Sequence, residues 1–209
     1  MKITIIGASG HGKVVADIAE KNGYSDIEFL DDNEELMWCG KYPVVGNTCE
    51  TTEIANDIIV AVGEASVRRR LTEKMLQEGH SIPILIHPAA VIADDVAICA
   101  GTVVMAGAVI NPGVRLGKGV IVNTCSSIDH DCKIGDYVHV SVGSHICGNV
   151  NVGNNTWIGA GSTVSNNVNI YRDCMIGAGA VVIKDIDRSG TYVGVPARIL
   201  NMPLENIQS

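Results

Sequence analysis

From Ile86 onward, aliphatic residues return at every sixth position. Seventeen successive residues at that spacing, from Ile86, Ile92 and Ile98 through Ile128 and Ile134 to Ile176 and Val182, are all Ile, Leu or Val, and no insertion breaks the register through Asp187. Four residues after each of these stands an uncharged residue, for example Ser126, Cys132, Val138, Ser144 and Val150. An α-helix would carry such a stripe around its axis within a few turns, whereas a six-residue unit of short strand plus tight turn brings the same position inward each time. Glycines such as Gly107, Gly113, Gly135, Gly153, Gly159 and Gly177 suit the turns. The pattern therefore predicts a stack of parallel coils over 84–209.

Residues 1–83 are patterned differently. Apolar runs at Ile3–Ile6, Ile27–Leu30 and Ile58–Val62 predict strands, His11–Lys21 and Ala65–Gln77 predict helices, and Ile82–Ile86 leads out of the segment. Alternating strands and helices predict a small α/β domain of the Rossmann-like, nucleotide-binding kind.

Composition fits thin β layers: aromatic residues make up only 4% of the 209, glycine reaches 23, and 46% are apolar. The net charge of −8 and the absence of a basic cluster beyond Arg68, Arg69 and Arg70 argue against nucleic acid. Those three arginines are expected on a solvated helix face. The N-terminus lacks the features of a secretory signal and no run of eighteen apolar residues exists, so a cytoplasmic protein without stable membrane insertion is expected. Seven cysteines without a C-x-x-C pair argue against a disulfide framework or zinc knot and are expected to be mostly reduced wall residues.

The six-residue pattern resembles the hexapeptide repeat of left-handed parallel β-helix proteins. In that family three hexads make one coil, which gives between five and six coils here; the left hand is implied by the resemblance, since spacing does not fix it. Stacking alone is a sufficient purpose for such a repeat, so function has to come from residues that interrupt its outward monotony.

His130, between Asp129 and Asp131 near a corner of its hexad, is such an interruption. An adjacent carboxylate favours the protonated imidazole and raises its basicity, which suits a general base. Eighteen residues on, one coil higher, stands Gly148, which leaves room above the ring and a backbone N–H for an oxyanion. A solvated turn histidine and a turn glycine would account for the same residues.

The glycine turn Gly7-Ala8-Ser9-Gly10-His11-Gly12 follows a strand and opens a helix, an arrangement suited to phosphate. Asp31 and Asp32 end the next strand, where carboxylates accept hydrogen bonds from ribose or base. Because Ser9 stands where a dinucleotide fingerprint has glycine, the motif is weak evidence for a nicotinamide cofactor, and a turn that merely packs helix on strand remains open.

Taken together, Gly-Ala-Ser-Gly-His-Gly, Phe-Leu-Asp-Asp, Ala-Val-Gly, Ile-Asp-His-Asp-Cys-Lys-Ile-Gly-Asp, His-Val-Ser-Val-Gly and Val-Gly-Val-Pro-Ala-Arg resemble the NeuD/PglD family of sugar acetyltransferases. The resemblance implies acetyl-CoA as co-substrate with no metal, His130 as general base, Asp131 as its acidic partner (Glu in some members), and contacts to acetyl-CoA from His139, Gly148, Ala160 and Ala178. It implies a UDP-amino-sugar acceptor held by Ser9, Gly10, His11, Asp31, Asp32 and Gly63, and a homotrimer with acetyl-CoA between adjacent β-helices. Lys184, Arg188 and Arg198 are candidates for the phosphates of CoA, with solvated charge the alternative; for His145 a surface position is preferred.

The expected activity is acetyl-CoA-dependent N-acetylation of a UDP-linked 4-amino-4,6-dideoxy sugar in bacterial glycan or glycoprotein synthesis. O-acetylation of a sialic acid type sugar uses the same machinery. A zinc-dependent β-helix hydratase is a further alternative, although no third ligand accompanies His139 and His145, and a non-enzymatic scaffold is another.

Overall fold

The structure, a computed structural model, describes residues 1–49, 51 and 56–200. The front region contains strands β1 (Lys2–Ile6), β2 (Asp26–Leu30), β3 (Trp38–Cys39), β4 (Tyr42–Gly46) and β5 (Asp57–Val60), with helices α1 (Gly10–Lys21) and α2 (Ala65–Gln77). They form one sheet in the order β3-β4-β2-β1-β5. It is parallel except at β3, with Ile3 opposite Ile27 on one side and Asp57 on the other. Ile3, Ile5 and Ile6 are all fully buried, as expected for a strand covered on both faces. The β3–β4 hairpin has no counterpart in the sequence reading, because a two-residue strand facing a Pro43-containing one carries almost no alternating pattern.

Helix α2 corrects one expectation. Its buried residues are Arg68, Leu71, Thr72 and Met75, a stripe at helical spacing, so Arg68 lies on the inward face and is 1% exposed. Arg69 and Arg70 alone are solvated.

From Leu85 onward the chain forms a parallel β-helix of two-residue strands in three sheets, with paired residues eighteen apart, as in Ser127↔His145 and His139↔Trp157. The first face carries strands beginning at Val91, Val109, Ser127, His145, Thr163 and Val181; the second begins at Ala97 and runs to Asn169; the third begins at Leu85 and runs through Ile121, His139 and Trp157 to the C-terminal end. The six-residue aliphatic positions fill the interior, Val122, Ile128, Val140 and Ile158 being fully buried. Where the companion position carries serine, the hydroxyl is satisfied locally: Ser126, Ser144 and Ser162 each donate to the carbonyl three residues earlier at 2.7 Å. That bond explains how polar residues sit in an apolar wall.

The repeat ends earlier than the spacing predicts. Val182 still pairs with Val164, but Ile186 then pairs with Ile170 and Cys174 with Gly190, so the last coil is two residues short and Ile186 takes an inward position two residues early. All seven cysteines are free, but only Cys39, Cys132 and Cys174 are buried; Cys49, Cys99 and Cys125 are exposed, contrary to the expectation that most line the wall.

The front domain sits against the third face. Leu85, Val103, Met105 and Ile121 join one apolar cluster with Val15, Ala16 and Ala19 of α1. In a three-sided coil, the corner between the first and second faces is opposite the third, so the front domain and that corner lie on opposite sides of the β-helix. Among the described residues no helix is long and apolar enough to cross a membrane.

Candidate active site

His130 occupies the corner between the first and second faces, between the strand Ser127–Ile128 and the strand Lys133–Ile134. Its Nδ1 lies 2.9 Å from an Asp131 carboxylate oxygen, and both side chains are more than half exposed. Asp129 turns the other way, accepting from the Asn111 amide and the His130 N–H at 2.8 Å each, which holds its carboxyl below the ordinary range. The bond to Asp131, followed by the charge of Asp129, raises the pKa of His130. Asp131 has φ +59°, in a corner column continued by Asn149 and Asn167 at similar angles. Turn geometry therefore accounts for a short polar residue there independently of chemistry.

Gly148 lies directly over the ring. A Cβ built on it would stand 2.5 Å from His130 Nε2 and 2.6 Å from Cε1. Its φ is not in the left-handed region, so the glycine is explained by this close approach and not by the turn. Among the described residues the Gly148 N–H has no hydrogen-bond partner. A basic, carboxylate-bonded imidazole and a free amide thus share one open corner.

Ala160 and Ala178 stack on the next corner, across the first face, with the N–H of Gly179 donating to the Ala160 carbonyl at 2.9 Å; both side chains are exposed. Between the two corners the Ser127 hydroxyl lies 2.8 Å from His145 Nδ1 on the exposed face. Lys184, Arg188 and Arg198 all line one cavity of about 570 Å³ at the end of the helix. Spacing alone did not show that these cations converge.

His139 is neither at that corner nor on the surface. It is buried on the third face, packed against Trp157 with the ring centroids 4.3 Å apart and the planes tilted by 45°. Asn123 fixes its tautomer: the Asn123 Oδ1 accepts from the Thr124 N–H, so its amide donates to His139 Nε2 at 3.2 Å, leaving a proton on Nδ1. That Nδ1 is buried without a partner. Burial, then the nearby charges of Arg68 and His11, push its pKa down to about 3. His11, at the start of α1, is likewise pushed down to about 4 by burial and Arg68, and its Nε2 also lacks a partner.

At the front turn, Gly7 has φ +108° and its Cβ would fall 2.8 Å from the Ala61 carbonyl oxygen, so no side chain fits. Gly10 and Gly63, by contrast, face open space. Asp31 accepts from the Ala8 N–H at 2.7 Å and the Asn33 N–H at 2.9 Å, bracing the turn. Asp32 is exposed and accepts from Thr48. Ser9 is exposed and its hydroxyl makes no cap bond to α1. The front residues therefore gather beyond the carboxyl ends of the adjacent parallel strands β2, β1 and β5, the position at which open α/β sheets form a ligand crevice. Arg68, which donates to the Gly63 carbonyl, and Asn123 and Trp157, which contact His139, were missed by sequence reasoning; the 68/71/72/75 stripe would have revealed the first.

The family model for the PglD N-terminal domain matches residues 2–75, the segment that carries this crevice. The acetyltransferase domain of PglB from Neisseria gonorrhoeae FA1090, solved with acetyl coenzyme A, is 40% identical and superposes with a TM-score of 0.93 over 95% of this chain and 98% of its own. The chain belongs to this PglD/PglB family of hexapeptide-repeat acetyltransferases. A second family member, PerB from Caulobacter crescentus in complex with CoA and GDP-perosamine, is 33% identical with a TM-score of 0.92, over 96% of this chain and 98% of that one. UDP-N-acetylbacillosamine N-acetyltransferase of Bacillus subtilis (strain 168) is 35% identical over 112 residues. The match spans about half the length of that curated relative, 51%, and 50% of this chain. Membership agrees with the architecture described above, a Rossmann-like α/β front region followed by a parallel β-helix.

Proposed function

We propose that the protein transfers the acetyl group of acetyl-CoA to the 4-amino group of a nucleotide-linked 4-amino-4,6-dideoxy sugar, with a UDP-sugar the preferred acceptor, in bacterial glycan or glycoprotein synthesis. The observation that carries this reading is the free Gly148 amide above a His130 whose other nitrogen is bonded to Asp131. His130 Nε2 takes the proton from the amine as its nitrogen attacks the thioester carbonyl. Asp131 stabilises the imidazolium, and the Gly148 N–H stabilises the tetrahedral oxyanion before the CoA thiolate leaves. The relatives solved with acetyl-CoA, and with CoA and GDP-perosamine, support the two substrate classes.

Ser9, Gly10, His11, Asp32 and Gly63 hold the nucleotide sugar, with Asp31 bracing the turn. Ala160 and Ala178 offer a smooth wall to the pantetheine arm, and Lys184, Arg188 and Arg198 meet the phosphates of CoA. The front crevice abuts the third face while His130 stands at the opposite corner, so one chain does not bring acceptor and base together. A homotrimer, in which the crevice of one protomer adjoins the His130 corner of the next, completes the site and brings the buried His139 beside it. We assign the enzyme to the cytoplasm, where acetyl-CoA and nucleotide sugars are available.

CoA release across UDP- and GDP-linked 4-amino sugars and free hydroxylated sugars tests the assignment. Release with a nucleotide 4-amino sugar, and amide formation in the product, are expected; release only with hydroxyl acceptors would replace N- by O-acetylation.

A further inference from the structure

Among the described residues Arg68 is the largest fully buried side chain, and its contacts are unlike those of an ordinary buried ion. Nε donates to the Gly119 carbonyl at 2.8 Å, one terminal nitrogen to Val62 at 2.9 Å and Gly63 at 2.7 Å, and the other to Tyr137 at 2.5 Å. Every acceptor is a backbone carbonyl. The nearest acid, Glu64, spends its carboxylate on Ser66 and on the N–H of Val67 as the cap of α2. A buried cation without a direct carboxylate partner is expensive, and an aliphatic residue would complete the stripe of α2 at less cost. What the guanidinium adds is connection. Val62 and Gly63 form the loop after β5 at the rim of the front crevice, whereas Gly119 and Tyr137 are on successive coils of the β-helix, eighteen residues apart.

We propose that Arg68 is a positioning residue for acetyl transfer: its planar fork fixes the acceptor crevice against the β-helix of its own protomer, so that in the trimer a bound amino sugar presents its nitrogen at a set distance from the acetyl donor at the adjoining His130 corner. The proposal rests on the reading of the crevice as the acceptor site. Two further observations converge on it. Gly63, whose carbonyl Arg68 holds, has open space where a side chain would stand. Tyr137, held at the other end, is two residues from His139, and the Arg68 charge opposes protonation of both His139 and His11, each of which has a buried nitrogen without a hydrogen-bond partner. A shift of the guanidinium would therefore move the rim of the crevice and the wall beneath it together.

The test compares Arg68→Lys and Arg68→Met in the full-length protein, using acetyl-CoA and a UDP-4-amino-4,6-dideoxy-hexosamine as probes. An ammonium is a point donor and does not span the four carbonyls, so Arg68→Lys keeps the charge and loses the fork. Steady-state kinetics should show acceptor KM raised at least tenfold in Arg68→Lys, with the KM for acetyl-CoA within twofold of wild type. In Arg68→Met, acceptor kcat/KM should fall further, with acetyl-CoA binding by calorimetry retained; if that variant does not fold, Arg68→Lys decides alone. Unchanged acceptor KM and kcat in folded Arg68→Lys would overturn the proposal. So would a fall in kcat that merely tracks the folded fraction with both KM values unchanged, or an equal rise in both. A wild-type enzyme inactive on every nucleotide amino sugar would instead fail the parent reading, and this inference would fall with it.

Discussion

Replacing Gly148 with alanine probes the arrangement at its tightest point. The new methyl carbon would stand 2.5 Å from His130 Nε2 and 3.1 Å from Cδ2, against 3.4 Å for ordinary contact, so the ring must retreat by about 0.9 Å. The imidazole is largely exposed and has solvent to move into, and Gly148 has an ordinary φ, so the core is undisturbed. The retreat breaks alignment with both Asp131 and the attacking amine. A misplacement of about 1 Å costs roughly 100-fold, and losing a general base altogether roughly 100- to 10,000-fold. We expect kcat to fall about 100-fold or more, with Tm within about 4 °C of wild type. The pH profile carries a second signature: without the Asp131 bond the pKa of His130 falls, so the acid limb moves to lower pH while the plateau drops. Product should be measured by mass, since exposed Cys49, Cys99 and Cys125 consume thiol reagents. A folded Gly148→Ala enzyme with kcat within threefold of wild type would refute the reasoning.

Two further outcomes follow from the charges. In Asp131→Asn the largest cause raising the His130 pKa is weakened, so the acid limb of kcat/KM should shift to lower pH, less than for loss of Asp129 and Asp131 together; a shift to higher pH would contradict the assignment. His139 is neutral and buried in the folded state, with its pKa pushed down to about 3, but titrates normally when unfolded. Below about pH 6.5 the unfolded chain binds the extra proton, so stability is present above that pH and is lost as pH falls toward about 3. Wild type should therefore lose up to about 1.4 kcal/mol per pH unit more than His139→Gln in urea melts between pH 6 and pH 4.5; parallel losses in the two proteins would argue against a neutral buried imidazole.

The β-helix was legible because its constraint is local and repeated: every sixth residue from Ile86 faces the same interior. The end of the repeat was not, since Ile186 satisfies the aliphatic pattern while pairing two residues out of register with it. His130 and Gly148 could be placed one above the other from an eighteen-residue count, and the structure brings them together. His139 could not be placed, because its surroundings come from elements distant in sequence, Arg68, His11 and Asn123, and no local pattern reports a domain interface. Arg68 was misjudged for a related reason: two neighbouring arginines suggested a solvated run, and the helical spacing to Leu71 and Met75 was the better guide. The outward Val103 and Ile121 lie under the front domain, but the outward Val91 is apolar as well and 63% exposed, so residue type alone does not mark the covered surface.

The most direct test of the central claim is turnover of folded His130→Ala with acetyl-CoA and a nucleotide 4-amino sugar, both saturating. The account predicts a fall in kcat of at least about 1,000-fold, with the thermal transition and acetyl-CoA affinity essentially unchanged, because His130 stands at an exposed corner and supports no part of the core. Turnover close to wild type would show that another group takes the proton from the amine.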